Sequence, residues 1–177
     1  MDTYTNEQEV KRPSLFLKPI NGSVLTLKSH LVKIKSHYLE DQKKSVLCSP
    51  DDCVLCSRGE KINHEFYYWG TMGDGEQVTA GPIQVPASVF FYMNEVEKLK
   101  KKDKRNFMWI ISKQGDGRNV KYTTIQGDDV EAPDEETTTA TTERLQKMMQ
   151  KYEDTLTQRL REYLMSATPT APKAKAK

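Results

Sequence analysis

Cys48, Cys53 and Cys56 are the only thiols among 177 residues, and their spacing is C-x4-C-x2-C. Two thiolates three residues apart turn inward on one tight bend, as in a metal knuckle. Pro50 shapes the loop between the first two, and Gly59 relieves the turn after the third. Thiolates joined by an imidazole suit zinc in a closed tetrahedron. Three cysteines require a fourth ligand, and the chain has three histidines, His30, His37 and His64. His37 stands eleven positions before Cys48, at the end of a predicted strand, and LEDQKKSV between them reads as a hairpin excursion. His64, eight positions after Cys56, is the second choice. A site with four protein ligands has no position for water, so it braces structure rather than activating a nucleophile. The alternatives are weaker. Free thiols buried in a core fit poorly beside Asp51, Asp52 and Arg58, and an odd number makes a poor disulfide framework.

A second group of residues has binding chemistry. Phe66, Tyr67, Tyr68 and Trp69 run consecutively. On a strand they alternate, Phe66 and Tyr68 to one side, Tyr67 and Trp69 to the other. Trp109 and Tyr122 lie on two later predicted strands. Some of these rings must close a small core, with Phe66 or Tyr68, Phe90, and Phe107 or Trp109 favoured for that. Those left exposed offer faces on which unpaired bases stack. Lys98, Lys100, Lys101, Lys102, Lys104 and Arg105 put six bases in eight residues, and Lys113, Arg118 and Lys121 extend the charge onto a hairpin. Lys28, Lys33 and Lys35 alternate on another strand. A lysine run is often only a solvated face, but beside aromatic strands it also matches a phosphate track.

The elements that position these residues follow from periodicity. Residues 24–39 read as a bent strand, 65–72 as a strand, and 77–86 as an extended piece interrupted by Gly81 and Pro82. After Pro86, Val89, Phe90, Met93, Val96 and Leu99 recur at helical spacing. Residues 106–113 and 120–126 flank the glycine turn QGDGRN as a hairpin. Leu145, Met149, Tyr152, Leu156, Leu160 and Tyr163 form the stripe of a long helix over 143–165. That gives a disordered start at 1–12, a domain at 13–126, an acidic linker at 127–142, an interaction helix at 143–165 and a basic disordered tail at 166–177. The helix is expected to bind a second copy or a protein partner.

Composition sets the limits. Charged residues make up 29%, hydrophobic ones 36%, and the formal net charge is +2. The small net charge hides a basic body and a basic end separated by residues 126–142, which carry six acids and no base. No apolar run is long enough to span a bilayer, and the start is polar where a secretion signal is greasy. A reducing, cytoplasmic setting is the expectation. No phosphate-binding glycine loop, H-E-x-x-H helix or nucleophile–base pair is recognisable, so the sequence is read as non-enzymatic.

His37, Cys48, Cys53 and Cys56 followed by aromatic strands, with the later hairpin from Trp109 to Tyr122, resemble the zinc-containing single-stranded DNA-binding proteins of bacteriophages, the T-even helix-destabilising group. The resemblance covers about residues 24–126. It implies a mainly β fold, an OB-fold-like five-stranded barrel with an inserted zinc loop, one packed helix and a separate C-terminal helix. It also implies zinc on His37, Cys48, Cys53 and Cys56. Bases would stack on Tyr67, Trp69, Trp109 and Tyr122, and phosphates would lie on Lys101, Lys104, Arg105, Lys113, Arg118 and Lys121. The implied role is coating single-stranded DNA during replication, recombination or repair, with RNA able to make the same contacts. The competing expectation is a zinc-stabilised structural or adaptor protein of a viral or transcription assembly.

Overall fold

The computed structural model describes residues 15–166. The expectations for residues 1–12 and for the tail beyond Ser166 lie outside the described residues.

Among the described residues seven strands form one sheet: β1 (Ser23–Leu27), β2 (Val32–Leu39), β3 (Lys44–Leu47), β4 (Ile62–Gly73), β5 (Val78–Val85), β6 (Phe107–Gln114) and β7 (Lys121–Asp129). The helices are α1 (Val54–Ser57), α2 (Ala87–Lys100) and α3 (Glu135–Ser166). β4 is the trunk. One of its edges pairs with β5 from Phe66 to Gly73. The other edge is shared end to end: β2 pairs along Ile62–Tyr67 and β1 along Gly70–Gly73. Two branches leave the trunk there, β1–β6–β7 and β2–β3.

The single bent strand expected at 24–39 is therefore two strands in line. At the break, Lys28 N donates to Trp69 O, and Ser29 Oγ accepts from Trp69 N at 2.8 Å. A buried serine thus replaces the backbone partner that the kink removes. Gly70 permits the close approach of β1, because a Cβ there would lie 2.1 Å from Thr26 O. Pro82 fits in β5 because its side of the trunk is a sheet edge, bridged only by Leu17 at Ile83.

Both faces of the trunk are covered where the aromatics alternate. Phe66 and Tyr68 join Leu25, Leu27, Val89, Met93 and Trp109 in a core under α2. Tyr67 joins Ile34, Leu145, Met149 and Leu156 under α3. A third, smaller cluster of Leu39, Val46 and Leu55 sits beneath the cysteine loop, with Leu160 and Tyr163 against it.

The five-stranded OB-like barrel is overturned. The sheet is open and has seven strands with three helices. A twelve-residue β4 serves two strands on one edge and a third on the other, so the strands branch, and no pairing joins β3 to β7. The separate C-terminal helix is overturned as well. Its apolar stripe packs onto the chain's own sheet. α3 starts at Glu135, where Asp134 Oδ1 accepts from Thr137 N at 2.7 Å and caps the first turn.

Candidate metal centre and basic face

His37, Cys48, Cys53 and Cys56 bring their ligand atoms within 4.8 Å of one another. His37 Nε2 is 3.5 Å from both Cys53 Sγ and Cys56 Sγ, and Cys48 Sγ is 3.5 Å from Cys56 Sγ. Each position has a local cause. His37 is on the β2 face that turns under the loop, in register with Val46 and Ile62. Cys48 ends β3, its N–H donating to Lys35 O at 3.0 Å. Cys53 caps α1, so Cys56 lies one turn later on the same side. Asp52 takes a φ of 48° to enter the turn and Gly59 a φ of 78° to leave it. His37 Nδ1 donates to Lys61 O at 3.0 Å, which turns Nε2 toward the sulfurs.

The four residues are geometrically compatible with a metal site. The electrostatics pull two of the thiols apart. Burial, the hydrogen bond to Cys56 and the neighbouring sulfur charges push the Cys48 thiol up to about 12. Burial also opposes ionisation at Cys53, but N–H groups of Cys56, Ser49 and Leu55 and the His37 ring prevail and lower it to about 6. A cation among the sulfurs would remove this conflict. His64 stands elsewhere, opposite Lys35 on the open face of the sheet.

The aromatic candidates are mostly enclosed. Tyr67 and Trp109 are buried, and the Trp109 indole donates to Lys104 O at 3.0 Å. Trp69 is half-buried with the Arg144 guanidinium 4.4 Å from its ring centre. Tyr122 packs partly against the α2 core. Several of the expected phosphate contacts already have carboxylate partners. Lys104 Nζ is 2.6 Å from Glu97, Arg105 holds Asp103 through Nε at 2.9 Å, and Arg118 is 3.1 Å from Glu40. Lys101, a left-handed helix end, and Lys121 stand exposed, and Lys113 is half-buried.

A different group of basic side chains lies together. Lys33, Lys35 and His64 share one face of β2 and β4, all exposed, and none is in an ion pair among the described residues. Lys33 Nζ lies 5.7 Å from the Phe66 ring centre, and the exposed Phe91 ring is 5.9 Å from the same ring. Partial desolvation and then the charges of Lys33 and Lys35 hold the His64 imidazole below its ordinary value. The alternation of Lys33 and Lys35 was visible in the sequence. Their meeting with His64 and Phe91 needed the register and the placement of α2.

No protein-family model, curated protein or solved structure matches the chain. Together with the open sheet, this overturns the resemblance to the phage DNA-binding group and the barrel that it implied. No helix among the described residues is long and apolar enough to cross a membrane.

Proposed function

We propose that the chain is a non-enzymatic binding module. One zinc ion on His37, Cys48, Cys53 and Cys56 braces a sheet whose basic face holds single-stranded nucleic acid without strong sequence preference. Three thiolates and a neutral imidazole are a donor set suited to zinc, and four protein ligands make a staple rather than a reactive centre. The observation that carries the binding reading is the unpaired group Lys33, Lys35 and His64 beside the exposed ring of Phe91. Cations spaced along a strand track a phosphate backbone, and a neighbouring exposed ring accepts a base regardless of its identity.

The test is anisotropy of labelled dT and rU oligomers at two salt concentrations. Affinity should fall with salt at a slope of about −0.7 per phosphate contact, near −1.4 for Lys33 and Lys35 at neutral pH. Absence of binding at low salt overturns the reading. A zinc-stabilised adaptor is the second reading, favoured by the burial of Tyr67 and Trp109, which removes two rings from any stacking surface. It predicts no oligonucleotide binding and an unchanged zinc content.

A further inference from the structure

A cavity of about 260 Å³ lies apart from the cysteine cluster. Segments far apart in sequence wall it: Lys18 before β1, His64 on β4, residues 85–87 where β5 passes into α2, and Tyr122 of β7. His64 stands two residues before Phe66, on the face of β4 that α2 covers. Tyr122 packs partly against the same core from the last strand of the sheet.

The walls divide by chemistry. Lys18 and His64 are exposed, and neither is in an ion pair among the described residues. Lys35 is opposite His64 on β2, with Lys33 two residues away on the same face, so both add positive charge at the rim. Acidic groups are turned away. Glu65 is the one acid in the walls, and its carboxylate is on the other face of β4, where it accepts from Ser36, Tyr67 and Tyr152. No acid stands in the first turn of α2. Val85, Pro86 and Tyr122 supply apolar and aromatic surface.

A nucleotide has the same division, a phosphate at one end and a flat ring at the other. Pockets for drug-sized ligands run to about 300–1,000 Å³, so this smaller space suits a single nucleotide unit. The kind of phosphate follows from the charges. A phosphodiester inside a strand has one negative charge, and such charges in series match Lys33 and Lys35 spaced along β2. A terminal phosphate monoester carries about −1.5 to −2 at neutral pH and offers three acceptor oxygens. Lys18 and His64 converging without a competing carboxylate match that group, and the imidazole takes up a proton beside it.

We propose that this cavity holds the terminal nucleotide of a single strand by its phosphate monoester, with Lys18 and His64 on the phosphate and Tyr122 beside the base. The strand then leaves along Lys35 and Lys33. This deepens the binding reading and rests on it, adding a preference for an end that the reading itself does not require.

The experiment is competition anisotropy on the full-length, zinc-loaded chain. The competitors are dT oligomers of one length with a 5′-phosphate, a 3′-phosphate or hydroxyls at both ends. One phosphorylated end should bind about tenfold tighter than the hydroxyl-ended strand, the gain of charge-assisted hydrogen bonds. Which end gains gives the polarity of the bound strand. Lys18→Gln should remove most of the gain and leave the affinity of the hydroxyl-ended strand unchanged. Equal affinity for all three strands, or a full gain in Lys18→Gln, overturns the proposal while the binding reading stands. If no strand binds, that reading falls, and thymidine monophosphate decides the cavity by itself. It should shift the His64 imidazole signals in NMR where thymidine does not, and the absence of that shift overturns the proposal.

Discussion

At its Gly70–Gly73 end β4 lies beside β1 and over a thirteen-residue apolar core that includes Phe66, Phe107, Trp109 and most of the inner face of α2. At its Ile62–Glu65 end it pairs with β2, whose buried apolar residues are split between Ile34 under α3 and the small cluster of Leu39, Val46 and Leu55. The first branch has enough buried apolar surface to hold itself. The second has less of it, and the His37–cysteine cluster and α3 lie against it. Polar contacts fasten α3 along its length. Arg105 donates to Thr138 at 2.8 Å, His30 N to Thr142 at 2.9 Å, and Arg159 to Ser45 O at 3.4 Å. Between them the Glu65 carboxylate accepts from Tyr67 at 2.5 Å, Ser36 at 2.6 Å and Tyr152 at 3.2 Å. Within one sheet, one end is built on greasy packing and the other on a histidine–cysteine cluster and hydrogen bonds.

The sharpest way to break this contrast is Cys56→Ser. It should weaken zinc binding more than a hundredfold, beyond the usual cost of losing an outer-shell partner, as read by a chelator-competition titration. Amide exchange should then quicken across 44–62 while β6 stays protected. Equal loosening of both branches would mean that the sheet depends on the metal as a whole. Trp109→Ala probes the other end. It should cost about 3–5 kcal/mol in denaturant unfolding without changing zinc content. Next comes the binding face, where K33E/K35E should flatten the salt slope by about 1.4 and leave the melting temperature nearly unchanged. Tyr152→Phe removes one donor to Glu65 and should cost about 1 kcal/mol. The smallest effect concerns pH. A phosphate near His64 favours the charged ring whose pKa the free protein holds down, so binding takes up a proton. Affinity should rise as pH falls toward the lowered pKa of His64, and His64→Gln should remove that increment.

The metal cluster was largely legible in the sequence. C-x4-C-x2-C within a polar loop asks for a fourth ligand, and His37 lies two residues before the end of a strand that pairs with the strand leading into Cys48. The alternation at 66–69 was legible too, since it depends only on the strand period. The branching was not. Nothing local in INHEFYYWGTMG tells that β2 and β1 will share one edge, because that depends on a serine hydroxyl at position 29 standing in for a backbone partner. The fate of α3 was hidden for a similar reason. An apolar stripe announces that it must be covered, but here the cover is Ile34 and Tyr67 of the same chain, and a stretch of acids and threonines obscured the capped start at Asp134.

Because β1 and β2 run along the same edge of β4, the four residues Lys28–Leu31 set their relative phase. Loss or gain of one residue there would turn every side chain of one branch over relative to the other, placing Lys33 where Ile34 belongs and swinging His37 away from the sulfurs. The connection between β2 and β3 carries no such constraint, since it only joins two neighbours at an exposed turn. Length changes should be tolerated around Asp41 and Gln42 and rejected between Leu27 and Val32.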